Sequence, residues 1–491
     1  MEAAPRTHIA LVSIPAFSHQ VSILEFAKRL INLHQDNNTF YVTCIIPTLG
    51  TSPTIASKPF FDSLPPNIQC FFLPPINFED LKNNGVSLEL QIQLSLSRSM
   101  PFVRDTLTSL INSNKAVALI VDAMVPEALE FGKEFNILSY IYFPCSTMLL
   151  SLCLHSSKLD EKVSCEYRDH PHLIEIPGCV PLYGIDLPNS LQDRSSLAYK
   201  LFLQRSKQYF DVDGILVNSF MEMEGEASKA VSKQEGSVNT KTSTKPHVHH
   251  IGPIIQTGPS GPKNGWDCLL WLDNQPPNSV LYVSFGSGGT LSQEQINELA
   301  LGLELSKHKF LWVNLKAPND RASATYLNGE DGMDNDPLHF LPLGFLERTK
   351  GQGLVMSGWA PQIDVLGHNS VGAFLTHCGW NSVLESMVHG VPMIAWPLFA
   401  EQRTNAAMVT DGLKVAMRPK IGTSGSGVVV KEEIANVIKS LMEGLEGEEI
   451  RRTMKELQKF AACAVMEDGS STRTISKLAL KWKCFGSHLE Y

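Results

Sequence analysis

Short apolar runs recur along the chain, and between them lie stretches in which an apolar residue returns every third or fourth position. HIALVSI is followed by VSILEFAKRLI, whose Ile23, Leu24, Ala27, Leu30 and Ile31 fall on one helical face, and then by FYVTCII. VALIV ending at Asp122, PEALEFGKEF and GILVN continue the series. Apolar runs alternating with amphipathic helices predict a parallel sheet with helices on its faces. The pattern lapses over 232–265, where SVNTKTSTKPHVHH and TGPSGPKNG are rich in Ser, Thr, Gly and Pro and predict loop and linker around one short strand near His250 to Pro253. A second α/β series begins with SVLYVSF, GSGGT and SQEQINELALGLEL, where Ser292 and Gln295 have the spacing of a capping box. KFLWV, GLVM, VGAFLT and VPMIA are its further strands, and the polar segment Ala317 to Leu338 reads as a surface insertion. The fold class is α/β, in two domains of similar size, and a ligand cleft is expected between them at the carboxyl ends of both sheets.

Composition narrows the function. At 491 residues the chain exceeds one ordinary core, and 43% apolar residues suffice to fill two or three. Its 41 Lys and Arg against 50 Asp and Glu leave a net charge of −9, which argues against nucleic acid as a partner. The start, MEAAPRTHIALVSIP, has no separate apolar signal core, so no cleaved secretion signal is expected. The most membrane-like segment, Leu138 to Leu154, is uncharged but shorter than the ~20 residues of a span. Interrupted by Pro144, Ser146 and Thr147, it reads as a buried strand followed by a helix, and no membrane span is expected. Ten cysteines without a C-x-x-C pair fit reduced, mostly buried thiols and a cytoplasmic location.

The chemistry gathers where strands end. HCGWNSVLES, after VGAFLT, has the grammar of a strand, a glycine turn and a helix starting at about Asn381. The first N–H groups of a helix are unpaired and partly positive, so Asn381 and Ser382 stand where an anion would be held, and Gly379 lets it approach the backbone. GSGGT is a second glycine-rich loop, matching neither the dinucleotide nor the Walker pattern; Ser287 in it suits a phosphate donor or an ordinary turn. His19, opening the first helix, suits an exposed cap or a base. Asp122, at the end of another strand, is a helix cap or, because parallel strands end on one edge, a carboxylate within reach of His19. His377 and Cys378 are adjacent and point apart, no spacing implies zinc, and HPH (170–172) and HVHH (247–250) are placed in polar loops. Trp359 and Trp380 flank the anion loop, as stacking platforms or as core aromatics.

With those residues in hand, Trp359 to Gln402, WAPQIDVLGHNSVGAFLTHCGWNSVLESMVHGVPMIAWPLFAEQ, resembles the 44-residue donor-binding box of plant family 1 UDP-sugar glycosyltransferases. KLDEKVSCEYR, IPGCVPLYG, WLDNQPPNSVLYVSFGSGGTLSQEQINELALGL and FLERTKGQG resemble the clade of hydroquinone, monolignol and flavonoid glucosyltransferases. The resemblance implies two facing Rossmann-like domains of GT-B type. Residues 1–250 would bind the acceptor, 251–266 would link, 267–470 would bind the UDP-sugar, and a helix over about 471–491 would return to the first domain. It also implies that Trp359 stacks on uracil, the Ala360 backbone and Gln362 contact the uridine, and Glu385 holds the ribose hydroxyls. His377, Asn381, Ser382 and Ser287 would bind phosphate, and Trp380, Glu401 and Gln402 would face the sugar. His19 resembles the family's base and Asp122 its partner.

The chain departs from P-x-x-G-H-x-x-P, carrying Ser18 and Ser22 where many relatives have glycine and the second proline. This bears on local loop shape and acceptor fit, and puts a hydroxyl at Ser18 near the donor. The expectation is a monomeric, inverting O-glucosyltransferase with UDP-glucose as donor, a small phenolic acceptor, and no cofactor or metal. Acceptor-lining segments are expected at Phe78 to Val86, Pro144 to Leu149, Leu182 to Asp193 and around Ala400. Two other classes compete. A nicotinamide-dependent oxidoreductase would need a dinucleotide fingerprint, which PAFSHQVS is not, and a non-catalytic UDP-sugar sensor would lack the base.

Overall fold

The structure, a computed structural model, describes residues 7–34, 40–49, 57–77, 80, 86–114, 116–232, 246–258, 266–326, 336–421 and 427–489. They form two compact units, Met1–Gln256 with Ala461–Tyr491, and Thr257–Phe460. The first unit holds a parallel sheet in the order β3-β2-β1-β4-β5-β6-β7. Its strands are β1 Thr7–Val12, β2 Phe40–Ile46, β3 Ile68–Phe72, β4 Ala116–Asp122, β5 Leu138–Phe143, β6 Gly214–Val217 and β7 Val248–His250. The second unit holds a parallel sheet in the order β10-β9-β8-β11-β12-β13, built from β8 Val280–Ser284, β9 Lys309–Trp312, β10 Gly353–Val355, β11 Val371–Thr376, β12 Met393–Ala395 and β13 Ala416–Met417.

Both orders reverse direction beside the first strand of the series, so β1 pairs with β4 and β8 pairs with β11. At such a reversal the connections leave toward opposite sides and open a crevice beyond the carboxyl ends of the two strands. The central strands β1, β4, β8 and β11 are buried at every position, because helices cover both faces; this is why their sequences run apolar without alternating.

The C-terminal helix, Ser470–Leu489, packs on the first sheet. Trp482 is fully buried and meets the Tyr140 ring edge-on at 5.5 Å, while Ser471 bonds the Gly252 carbonyl and Arg29 Nη2 donates to Thr472 Oγ1 at 3.0 Å.

Leu138 to Leu154 resolves into β5 and the start of the helix Thr147–Lys162, with Ser146 as N-cap accepting from Leu149 N. Among the described residues no helix is long and apolar enough to cross a membrane. Ser292 caps the helix Gln293–Ser306 by accepting from Gln295 N at 3.2 Å. HVHH is not polar loop: it ends in β7, and His250 is buried, bonded to Thr147 Oγ1 at 3.1 Å and Ser228 Oγ at 2.8 Å. Burial holds the His249 and His250 imidazoles down at about 4, so both are neutral sheet residues. Residues 78–79, 81–85, 233–245 and 259–265 fall outside the described residues, and with them most of the first segment expected to line an acceptor and part of the linker.

Candidate active site

In the first unit, β1 and β4 deliver two side chains to the switch point. The chain leaves β1 through Ser13–Ala16 and enters the helix Phe17–Asn32 with no side-chain cap, so the first turn carries His19 at the strand's end. Asp122, the last residue of β4, is completely buried. Its Oδ2 lies 2.8 Å from His19 Nδ1 and its Oδ1 accepts the Met124 N–H at 2.9 Å. Both carboxylate oxygens are thus engaged, which fixes the carboxylate plane and holds the proton of a neutral imidazole on Nδ1. The imidazole remains partly exposed, and in that tautomer Nε2 is its basic nitrogen. Ser22 is buried in the same helix: its hydroxyl is 2.7 Å from Tyr142 OH, and Asn218 Nδ2 approaches it at 3.4 Å. Tyr142 OH in turn donates to the Ser22 carbonyl at 2.9 Å, so the serine hydroxyl, standing where many relatives have proline, adds a second bond between the helix and β5.

The second unit builds its switch point from the Phe285–Thr290 loop after β8 and the turn after β11. Gly286 has φ +71°, and a Cβ there would sit 2.6 Å from the His377 ring; one on Gly379 would sit 2.4 Å from His377 Nε2. Both glycines are therefore required by the ring packed between them. Burial lowers the His377 imidazole to about 4, which makes it a neutral hydrogen-bond donor, and its Nδ1 has no partner among the described residues. Cys378 follows at φ +64° with its N–H on Thr376 Oγ1 at 3.2 Å, and Gly379 is the N-cap of the helix Trp380–His389, one residue from the expected start.

Ser382 and Glu385 lie buried on one face of that helix, three residues apart. Gln362, the first residue of the short helix Gln362–Leu366, donates to Ser382 Oγ at 2.9 Å and to Glu385 Oε2 at 2.6 Å, and accepts from Tyr282 OH at 3.3 Å. The structure thus brings Gln362, Ser382 and Glu385 into one polar cluster. Trp359 has 43% of its surface exposed, enough to offer a ring face for stacking, whereas Trp380 and Ala360 are buried. Ser287 is exposed on its loop, Asn381 follows Trp380 in the helix, and Glu401 precedes Gln402 at the next strand-to-helix turn. Gln402 Oε1 accepts the Leu398 and Phe399 N–H groups at 2.8 and 3.0 Å, so its Nε2 is the end left to donate. Ala400 in that turn holds φ +54°.

Burial lifts the Glu385 carboxyl to about 7, against the opposing Gln362 hydrogen bond. Below its usual value of about 4.5 it is protonated folded and unfolded; from there to about 7 only the folded state keeps the proton. Its contribution to stability therefore falls as pH rises across that window. Glu385→Gln removes this slope. In denaturant titrations the variant is expected to lose less stability than the parent between about pH 4.5 and pH 7, and identical pH dependence would contradict the assignment.

Two asparagines that sequence reasoning did not single out complete the site. Asn314, at φ +52° after β9, donates from Nδ2 to the Gly286 carbonyl at 2.7 Å and from its backbone to Gly358 O at 3.0 Å, tying the glycine loop to the segment before Trp359. Asn405 donates to the Cys378 carbonyl at 3.0 Å. An asparagine directly after an apolar strand is the only signal Asn314 offered, since Asn tolerates the left-handed region. Among the described residues, no group of three or more His, Cys, Asp and Glu side chains could hold a metal ion.

A basic nitrogen oriented by a buried carboxylate can take a proton from a hydroxyl. A helix N-terminus with a neutral imidazole donor, a buried carboxylate and an exposed indole can hold phosphate, paired sugar hydroxyls and a base. The family model described as UDP-glucoronosyl and UDP-glucosyl transferase matches residues 102–444. Hydroquinone glucosyltransferase from Rauvolfia serpentina is 48% identical over 484 residues, covering 98% of this chain and 99% of its own length. UDP-glycosyltransferase 72B1 from Arabidopsis thaliana is 44% identical over 493 residues, 100% of this chain and 99% of the relative. The structure of Phytolacca americana UGT2 complexed with UDP-2fluoro-glucose and pterostilbene superimposes with a TM-score of 0.84 at 43% identity, over 97% of this chain and 99% of that one. With two Rossmann-like domains of GT-B type, the chain belongs to the UDP-glucoronosyl and UDP-glucosyl transferase family and is a UDP-glycosyltransferase.

Proposed function

We propose that the protein is an inverting O-glucosyltransferase that moves glucose from UDP-glucose to a hydroxyl of a small phenolic acceptor. The observation that carries the reading is the His19–Asp122 pair at 2.8 Å. His19 Nε2 takes the acceptor's hydroxyl proton while Asp122 stabilises the imidazolium that forms. The freed oxygen attacks the anomeric carbon, the bond to the UDP oxygen breaks, and an α-linked donor gives a β-glucoside. Charge growing on the leaving diphosphate is met by the N–H groups at the start of the Trp380–His389 helix, by Ser382 and by the His377 imidazole, all in place beforehand and without a metal or cofactor. Glu385 pairs with the ribose hydroxyls, and Gln362, already bonded to it, helps to hold the uridine. Support for phenolic acceptors comes from the relatives, one a hydroquinone glucosyltransferase and another complexed with pterostilbene.

Trp359→Ala is expected to weaken UDP-glucose binding, because stacking on a base contributes on the order of 1–3 kcal/mol. Titration calorimetry would show this directly; unchanged donor affinity would remove Trp359 from the uracil site.

Donor choice follows from Gln402. With its carbonyl committed to two backbone N–H groups, its Nε2 is oriented to donate to a sugar hydroxyl, and a hexose with that hydroxyl inverted loses the bond. UDP-glucose and UDP-galactose, each offered with flavonols, flavan-3-ols, monolignols and simple phenols, are expected to give β-glucosides at a rate well above any galactoside. Equal turnover of the two donors would refute the role of Gln402, and the absence of any glycoside across the panel would refute the acceptor class.

A further inference from the structure

We propose that Asn405 is a positioning residue for the donor's diphosphate: its side-chain amide holds the Cys378 carbonyl and so aims the Gly379 N–H at the phosphates. The inference rests on the reading that the diphosphate lies at the start of the Trp380–His389 helix. Asn405 sits in the helix Gln402–Ala407 and is completely buried. Its Nδ2 donates to the Cys378 carbonyl at 3.0 Å and to Glu401 Oε1 at 3.3 Å.

The Cys378 carbonyl and the Gly379 N–H belong to one planar trans peptide, so they point in opposite directions, and fixing one aims the other. The other end of Cys378 is held as well, by its N–H on Thr376 Oγ1 at 3.2 Å. Two anchors are what a non-glycine residue at φ +64° requires, because that backbone region is disfavoured unless the surroundings over-determine it. The same Asn405 amide reaches Glu401, in the turn assigned to the sugar, so one side chain ties the phosphate turn to the sugar turn.

Asn405 also carries a cost. Its Oδ1 is buried with no partner among the described residues, and an unsatisfied acceptor disfavours folding. A leucine of similar shape would remove that penalty but would leave the Cys378 carbonyl without its donor.

The test is Asn405→Leu, with UDP and uridine titrated separately by calorimetry beside the parent and Ser382→Ala. The expected result is a UDP Kd raised about tenfold with uridine affinity unchanged, alongside a lowered thermal midpoint because the Cys378 carbonyl loses its donor. Equal weakening of UDP and uridine, or no weakening of either, would overturn the positioning role. If Ser382→Ala selectively weakens UDP and Asn405→Leu does not, the phosphate site stands and the inference about Asn405 falls. A parent protein that binds UDP no more tightly than uridine would instead sink the diphosphate reading beneath it. Should Asn405→Leu fail to fold, Asn405→Ala removes the same donor from the Cys378 carbonyl without adding bulk. Selective loss of UDP binding then supports the proposal, and unchanged UDP binding overturns it.

Discussion

His19→Ala is expected to lower turnover by about 10²–10⁴-fold, the usual contribution of a positioned general base. UDP affinity should stay near that of the parent, because the residues proposed to hold uracil and ribose, from Trp359 to Glu385, all belong to the second unit. The folding cost is that of the buried Asp122 Oδ2 losing its His19 partner, while Oδ1 stays bonded to the Met124 N–H. The loss is therefore expected in kcat, and a variant with ordinary turnover would mean that another group takes the proton.

Asp122→Asn is expected to be nearly as damaging, for a reason visible in the two hydrogen bonds of the carboxylate. The Met124 N–H needs an acceptor, so the asparagine carbonyl takes the place of Oδ1 and its NH₂ group is turned toward His19 Nδ1. Two donors cannot share one contact. The imidazole proton moves to Nε2, and the nitrogen that should accept the acceptor's proton is blocked. The imidazolium also loses its counter-charge. Turnover is expected to fall by about 10²–10⁴-fold with UDP affinity retained. A variant at more than a tenth of parental turnover would show that the carboxylate neither selects the tautomer nor stabilises the charge.

Much of this arrangement was legible because it is local. β1, β4, β8 and β11 are buried on both faces, so their apolar runs stand out, and the residues closing them, Asp122 and the turn at His377, could be placed at a sheet edge from sequence. The helix start at HCGWNS was legible to within one residue for the same reason. What stayed hidden depends on distant contacts or weak patterns. β3, IQCFF, is an edge strand with exposed positions, so no buried run marks it. The 27-residue helix Leu88–Asn114 carries Pro101 and the polar stretch QIQLSLSRSM, which mask its periodicity. The part played by Asn405 rests on a bond to a carbonyl 27 residues away, a contact no local window contains. Ser22 raised a question about loop shape that only its bonds with Tyr142, 120 residues away, answer.

The central claim is that His19 and Asp122 act as one unit, base and orienter, in glucosyl transfer. A double-mutant cycle tests it most directly, with kcat measured for His19→Ala, Asp122→Asn and the pair together, using UDP-glucose and whichever phenol the parent turns over fastest. An orienter has no function once its base is gone, so the double variant should be little slower than His19→Ala alone. Losses that multiply in full would mean that the two residues act separately, and would contradict the account.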